Sequence, residues 1–383
     1  MNKKISLVLA ISLIIIASSV TFILTSLFSF KSFNEKNSKY NTLQTLDSFV
    51  KENFYGDIDE DNINDGILKG YVSGLNDKYS RYLTAEEYAN EKSDNAGQMT
   101  GLGLTLEENE DGYIKIVDIM PDSPVSEQDI KAGDLIVSVN GSDVLETGFK
   151  EAIELMSGTD RTEVTLTIRR NGTDTVHTLT RRPIEVVTVT GEMLDNHIGY
   201  IKISGFKQNT SQQFNDELEK LIDNGAKGII FDLRENGGGL LDSLEKCLDP
   251  LLPEGIIATA EYGDGHSDTI VYSDKSEINI PMVVLVNAHT ASAAELFAAS
   301  LKDFGKAEIV GTTTYGKGVM QSTTEFTNGG AIVLTIAEYK TSVSECYDGV
   351  GITPDYVVEN ENDDSDEQYN KAIEVITKKI SGT

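Results

Sequence analysis

The chain is short of the residues that stitch a small fold together, with two cysteines and seven prolines in 383 residues. A disulfide-stapled miniprotein is excluded by that length and count, and Cys247 and Cys346 have no metal-type spacing, so they read as buried or free thiols. Basic residues are scarce too. Lys and Arg total 32 against 62 Asp and Glu, and the net charge of −30 repels nucleic-acid backbones and anionic headgroups, with no local basic patch to offset it. No nucleic-acid partner is expected. Beyond the first thirty residues no apolar run is long enough to span a membrane. What is present, 39% apolar and 25% charged residues, is close to a soluble globular average and allows two or three domains.

Met1-Asn2-Lys3-Lys4 leads into an uncharged stretch, Ile5 to Phe30. As a helix it would cross about 30 Å of hydrocarbon. Residues 1–30 are therefore read as a transmembrane anchor or a cleaved signal segment. The missing A-x-A end favours the anchor, while Lys31, Lys36 and Lys39 on the far side weaken the orientation argument. Either version exports residues 31–383, so the working part is extracytoplasmic, and the favoured anchor makes a single-pass cell-membrane protein.

Residues 31–97 read as a helical region, with one apolar stripe at Leu43, Leu46, Val50 and Phe54 and another at Ile67, Leu68, Tyr71, Val72 and Leu75. A homodimer through these helices is left open. The acidic turn from Asp57 invites a calcium reading, but an EF-hand loop would need Gly and Glu where Asn62 and Leu68 stand. No metal is expected.

Residues 98–182 change to short strands and turns, including Tyr113 to Val117, Leu135 to Val139 before Asn140-Gly141, and Val164 to Ile168 before Asn171-Gly172. Gly101-Leu102-Gly103-Leu104 and Lys131-Ala132-Gly133-Asp134 occur in order within this stretch, which resembles a PDZ domain. That resemblance implies a loop at Gly101, Leu102, Gly103 and Leu104 whose amides receive a peptide's terminal carboxylate while the peptide adds to the sheet edge. Glycines would let those amides converge on an anion. Residues 183–383 then alternate strands and helices: Ile198 to Ile203, a helix from Ser211 to Ile222, and near-continuous apolar strands at Gly228 to Leu233 and Met282 to Val286. The class is α/β.

Three segments of this part carry chemistry. Strand 282–286 runs into Thr290-Ala291-Ser292-Ala293 and an Ala-rich helix, so Ser292 sits at a helix N-terminal edge as an ordinary cap or as a nucleophile beside orphan amides. Gly311 to Gly318 satisfies Gly-x-x-x-x-Gly-Lys, but Gly318 stands where a phosphate loop needs Ser or Thr, so nucleotide binding is set aside. A lysine among small residues, Lys317, would instead lose hydration and become a neutral amine suited to general-base work. Asp232-Leu233-Arg234-Glu235-Asn236-Gly237-Gly238-Gly239 is a glycine turn whose amides could face an oxyanion, cradle a phosphate or merely turn the chain. His289, three residues before Ser292, is a competing base, although no acid in the sequence would orient it. Asp232 and Arg234 read as a structural pair.

Taken in order, the PDZ motifs, Asp-Leu-Arg-x-Asn-Gly-Gly-Gly, Thr-Ala-Ser-Ala and Tyr-Gly-Lys-Gly-x-x-Gln resemble the C-terminal processing peptidases, tail-specific serine endopeptidases with a Ser-Lys dyad and an embedded PDZ domain. The resemblance implies a ClpP/crotonase-like layered core, Ser292 as nucleophile, Lys317 as general base and Gln321 holding the lysine. It also implies an oxyanion hole from the amides of Gly238 and Ala293, uncertain by one residue in the glycine run, and no cofactor. Protein or peptide substrates with exposed C-termini follow. Thr341-Ser342-Val343-Ser344 departs from the family's Thr-Pro-x-Gly turn, and Gly351 to Asp355 matches its closing motif. The alternative is a catalytically silent peptide-binding scaffold.

Overall fold

The computed structural model describes residues 40–274, 277–360 and 365–382, together with Ser18, Thr21 and Thr25. The anchor expected at residues 1–30 lies outside the described residues apart from those three positions. Among the described residues no helix is long and apolar enough to cross a membrane.

The chain divides into two compact units, residues 1–68 and 69–383. The first holds α1 (Asn41–Asn53) and most of α2 (Glu60–Ser73). Both helices form where the apolar stripes predict them, yet α1 buries no residue, and Phe49 and Phe54 remain about two-thirds exposed. Asp59 caps α2 by accepting from the amides of Asp61 and Asn62, which is the work done by the acidic turn.

The second unit opens with β1 (Arg81–Leu83), α3 (Ala85–Asn95) and β2 (Gln98–Gly101). A β-rich module follows, made of β3 (Leu104–Glu108), β4 (Ile114–Ile119), β5 (Leu135–Val139), β6 (Ser142–Asp143), α4 (Val144–Thr147), α5 (Phe149–Met156), β7 (Glu163–Arg170) and β8 (Thr173–Thr180). Its strands pair in the order β3-β4-β5-β7-β8, with β6 on β5. Alternating burial along β7 turns Val164, Leu166 and Ile168 into a core shared with Ile114, Ile116 and Ile136. The chain leaves this module through β9 (Arg182–Glu185), which pairs antiparallel with β2.

The remaining elements are β10 (Val189–Leu194), β11 (Ile198–Ile203), α6 (Thr210–Asp223), β12 (Gly228–Asp232), α7 (Leu241–Leu248), β13 (Gly255–Tyr262), β14 (Ser267–Ser273), β15 (Met282–Val286), α8 (Ala293–Asp303), β16 (Ala307–Gly311), β17 (Val319–Glu325), β18 (Ala331–Thr341), β19 (Tyr356–Val357) and α9 (Glu367–Ser381). The central sheet has the order β10-β11-β12-β15-β16-β19 and is parallel except for β10. Every residue of β12 and β15 is buried, as strands covered on both faces require. One face packs on α6, α7 and α8 through Phe214, Phe231 and Phe297, and the other on α9 through Val375 and Ile376. Behind α8 lies a second antiparallel sheet, β1-β18-β13-β14, with β17 also on β18. Because a parallel sheet puts strand ends and helix starts at one edge, Ser292 and the glycine turn after β12 meet there.

The turn that departs from the family pattern is closed by polar bonds. The hydroxyls of Thr341 and Ser344 donate to Asp303, and the Ser344 amide donates to Thr341. In the closing motif, Asp355 accepts from the Ile309 amide and pairs with Lys302.

Candidate active site

β15 ends at Val286, and the chain needs a sharp turn before α8 begins. Thr290 ties that turn to the neighbouring strand end, its hydroxyl donating to the Leu233 carbonyl at 2.9 Å, while the Ala291 amide donates to Asn236 O at 2.9 Å. Ser292 then takes φ 57° and ψ −121°, a left-handed backbone that costs a non-glycine residue about 1–3 kcal/mol. The buried carboxylate of Glu295, in the first turn of α8, supplies the compensation. Its Oε2 accepts from the amides of Ser292 and Lys317, each at 2.8 Å, and its Oε1 from the Gly316 amide at 2.7 Å and the Thr314 hydroxyl at 2.5 Å. One side chain thus fastens the serine turn to the lysine loop. Glu295 is absent from the sequence expectations, although Ser-x-x-Glu at a helix start is a capping-box signal that could have found it.

Lys317 is half-buried, and its ammonium lies 4.7 Å from the centre of the Tyr79 ring. Burial lowers its pKa below the ordinary 10.5, Arg81 and Lys78 push the same way, and Asp77 and Glu295 oppose them. Its carbonyl accepts from the Tyr339 hydroxyl at 2.7 Å. Burial raises the Tyr339 pKa, and the nearby hydroxyls of Tyr347 and Ser292 offset only part of that rise. Ser292 and Lys317 therefore share two buried neighbours, Glu295 and Tyr339. Gln321 points elsewhere, its amide nitrogen donating to Thr335 Oγ1 at 3.1 Å and to the Val319 carbonyl at 3.4 Å.

Gly238 lies against the serine turn with φ 100°. A Cβ there would come within 2.8 Å of Ala291 O and of Ser292 Cβ, and within 2.9 Å of the Ala293 amide nitrogen. Only glycine permits that approach. The Gly238 amide donates to Asn236 Oδ1 at 2.8 Å, inside the turn, and Ala293 is the first residue of α8.

Two competing readings lose ground to this geometry. The amides of Gly316 and Lys317, which a phosphate loop would offer to its ligand, are spent on Glu295. His289 is exposed, and its backbone amide donates to Asn287 Oδ1. Asp232 accepts from Tyr200 and pairs with Arg234, whose other nitrogen reaches Asp366 at the start of α9. That pair joins the strand end to the last helix.

At the entry to the β-rich module Gly101, the last residue of β2, pairs with Arg182, Leu102 is buried, and Gly103 takes φ 71° where a Cβ would meet Ser123 Cβ at 2.4 Å. Leu104 then begins β3, which has β4 on one side and is the edge of its sheet. Among the described residues no group of three His, Cys, Asp or Glu is placed to hold a metal.

Residues 197–358 match the model of peptidase family S41 and residues 93–169 that of the PDZ domain. The carboxy-terminal processing protease CtpA of Bacillus subtilis is 34% identical over 345 residues, covering 89% of this chain and 74% of that protein. The carboxyl-terminal-processing protease of Synechocystis is 33% identical over 324 residues, covering 81% and 76%. The solved photosystem II D1 C-terminal processing protease superposes with a TM-score of 0.50 at 23% identity, covering 88% of this chain and 92% of that one, a likeness of fold. The chain belongs to peptidase family S41 and is a serine-type carboxy-terminal processing protease carrying a PDZ domain.

Proposed function

We propose that the protein is a membrane-tethered, extracytoplasmic endopeptidase that captures protein C-terminal tails on its PDZ domain and cleaves by a Ser292-Lys317 dyad. The shared hold of Glu295 on the amides of both residues carries this reading. Neutral Lys317 takes the Ser292 proton as the serine oxygen bonds to the scissile carbonyl carbon. The oxyanion is met by the amides of Gly238 and Ala293, Asn236 yielding the first of them as charge develops. Collapse breaks the peptide C–N bond, the lysine proton goes to the leaving amine, and an acyl-enzyme remains. Water, deprotonated by the same lysine, then releases the acid product. Gln321 bonds Thr335, whose hydroxyl donates to Asp77, and does not hold the lysine itself.

A peptide tail would add beside β3 with its carboxylate at Gly101 to Leu104, since among the described residues that edge carries no other strand. We divide the chain into a segment 1–30, a helical region 31–97, a PDZ domain 98–182 and a protease core 183–383 of ClpP/crotonase-like layering. The tether is residues 1–30, and the exposed Phe49 and Phe54 suit a homodimer through α1. Fractionation, and protease treatment of intact cells, tests the location.

Intact-mass analysis of an unstructured protein incubated with wild type, Ser292→Ala or Lys317→Ala tests the chemistry. Cleavage by wild type alone, slowed when the substrate's terminal carboxylate is amidated, is the expected result. Binding of the tail without cleavage by any of the three would favour the scaffold.

A further inference from the structure

The turn before β1 reaches into the site from far along the sequence. Asp77 accepts from the Ser80 hydroxyl at 2.5 Å, the Ser80 amide at 2.9 Å and the Thr335 hydroxyl at 2.7 Å, and the Thr335 amide returns a bond to Ser80 Oγ at 3.0 Å. Gln321 donates to that same Thr335 hydroxyl. Immediately afterwards, Arg81, Tyr82 and Leu83 pair in register with Val333, Ile332 and Ala331 of β18. The turn is thus fixed at both ends to the sheet that borders Lys317. Between those fixed ends stands Tyr79, with the Lys317 ammonium 4.7 Å and the Lys78 ammonium 4.6 Å from its ring centre.

We propose that Tyr79 is a positioning residue for the dyad, its ring seating the Lys317 side chain and screening it from water while the Asp77-Ser80-Thr335 bonds hold the ring in place. The inference rests on the dyad reading. Two opposed effects meet in the one ring. An aromatic face favours the ammonium form, while the cover it provides withholds water from that form and favours the free amine. Lys78 shares the ring, so loss of the Lys317 proton leaves one cation there rather than two. Around the lysine also stand Arg81 and Asp77 on the same segment, Glu295 on α8 and Tyr339 on β18, whose hydroxyl donates to the Lys317 carbonyl.

This separation of effects gives a test in the full-length protein. The pH dependence of kcat/KM is measured for wild type, Tyr79→Phe, Tyr79→Leu, Tyr79→Ala and Lys317→Ala. In parallel, the pH dependence of Lys317 acylation by a small amine-reactive ester is read by mass spectrometry, which needs no activity. Tyr79→Phe keeps the ring and leaves both midpoints in place. Tyr79→Leu keeps the cover and removes the π face, moving them to lower pH, and Tyr79→Ala admits water and moves them to higher pH, each by about half to one and a half pH units. Opposite movements support the proposal. Lowered rates with unmoved midpoints, or movement of both variants in one direction, would overturn it while Lys317→Ala remains inactive. Normal cleavage by Lys317→Ala would instead remove the dyad reading, and this inference with it.

Discussion

The helix that carries Ser292 and the ribbon that carries the PDZ domain hold their neighbours in different ways. α8 is buried without a break from Ala293 to Leu301, and its Glu295 gathers four hydrogen bonds out of water. The ribbon of β2 and β9 is four residue pairs long. It is fastened to the core through Asn209, which donates to the carbonyls of Val186 and Gly97, through the bond from the Gln208 amide to Asn95 O, and through the ion pair of Lys207 with exposed Asp94. Buried charge-assisted bonds fix atoms where attack geometry is sensitive to a fraction of an ångström. Bonds near the surface contribute about 1 kcal/mol or less each and let a module change its pose.

The largest effect expected is at Glu295. Truncation in Glu295→Ala strands three buried amides and a hydroxyl, at about 1–3 kcal/mol for each that finds no water. Urea unfolding should show a loss of about 3 kcal/mol or more, and cleavage should fall at least about a hundredfold as the serine turn and lysine loop separate. A variant that folds and cleaves normally would erase the contrast between junction and ribbon. Gly238→Ala comes next. Its methyl group would collide with Ala291 O and Ser292 Cβ at a φ that disfavours alanine, so kcat should drop about 10²- to 10³-fold, read at saturating substrate in a protein whose circular dichroism is unchanged.

Smaller, but specific to the base, is the pH dependence. Burial lowers the Lys317 pKa from 10.5, and the dyad uses the free amine. Below the folded-state pKa the lysine is protonated and kcat/KM falls about tenfold per pH unit, whereas above it the rate levels off. The acid limb should therefore lie below the ordinary lysine range. A limb centred at 10.5 would mean that the site is wetter than the structure implies.

How legible each region was in the sequence follows the same division. Strands Leu135–Val139, Ile198–Ile203 and Met282–Val286 coincide with their apolar runs, because burial on one or both faces writes a local pattern. Ser292, Lys317 and the glycine turn stood out because helix starts, small-residue loops and glycine runs are local as well, whereas Gly238 within that turn was named by the family resemblance. Tyr79, Tyr339 and Thr335 did not, since each acts through a partner at least 14 residues away in the chain. The apolar stripes of α1 named a helix correctly but could not say that none of its residues would be buried within the chain.

On the PDZ side, Gly103→Ala forces a methyl group against Ser123 at positive φ. It should weaken binding of a peptide with a free carboxylate about tenfold in fluorescence anisotropy, while an amidated peptide, already weak, changes little. Unequal loss of the two peptides would place the carboxylate at this loop, and equal loss would move it elsewhere.

Asn209→Ala should have the smallest effect, and the reason lies in its two ends. The amide nitrogen makes the ribbon's bonds, but the buried Oδ1 has no hydrogen-bond partner and sits where a Cβ on Gly97 would be, 2.0 Å away. Truncation loses about 1–2 kcal/mol of bonding and also removes an unsatisfied acceptor, so the net change in unfolding free energy should stay near about 1 kcal/mol. Locally the change should show most in residues 95–101 and 182–188, where Asn209 makes its bonds, although Gln208, Gln213 and Thr210 still tie those segments to the core. Amide exchange in those two segments should accelerate about fivefold, with β12, β15 and α8 unaffected. Equal acceleration throughout the protease core would show that ribbon and junction unfold as one unit, and the division between a fixed catalytic edge and a repositionable PDZ domain would fall.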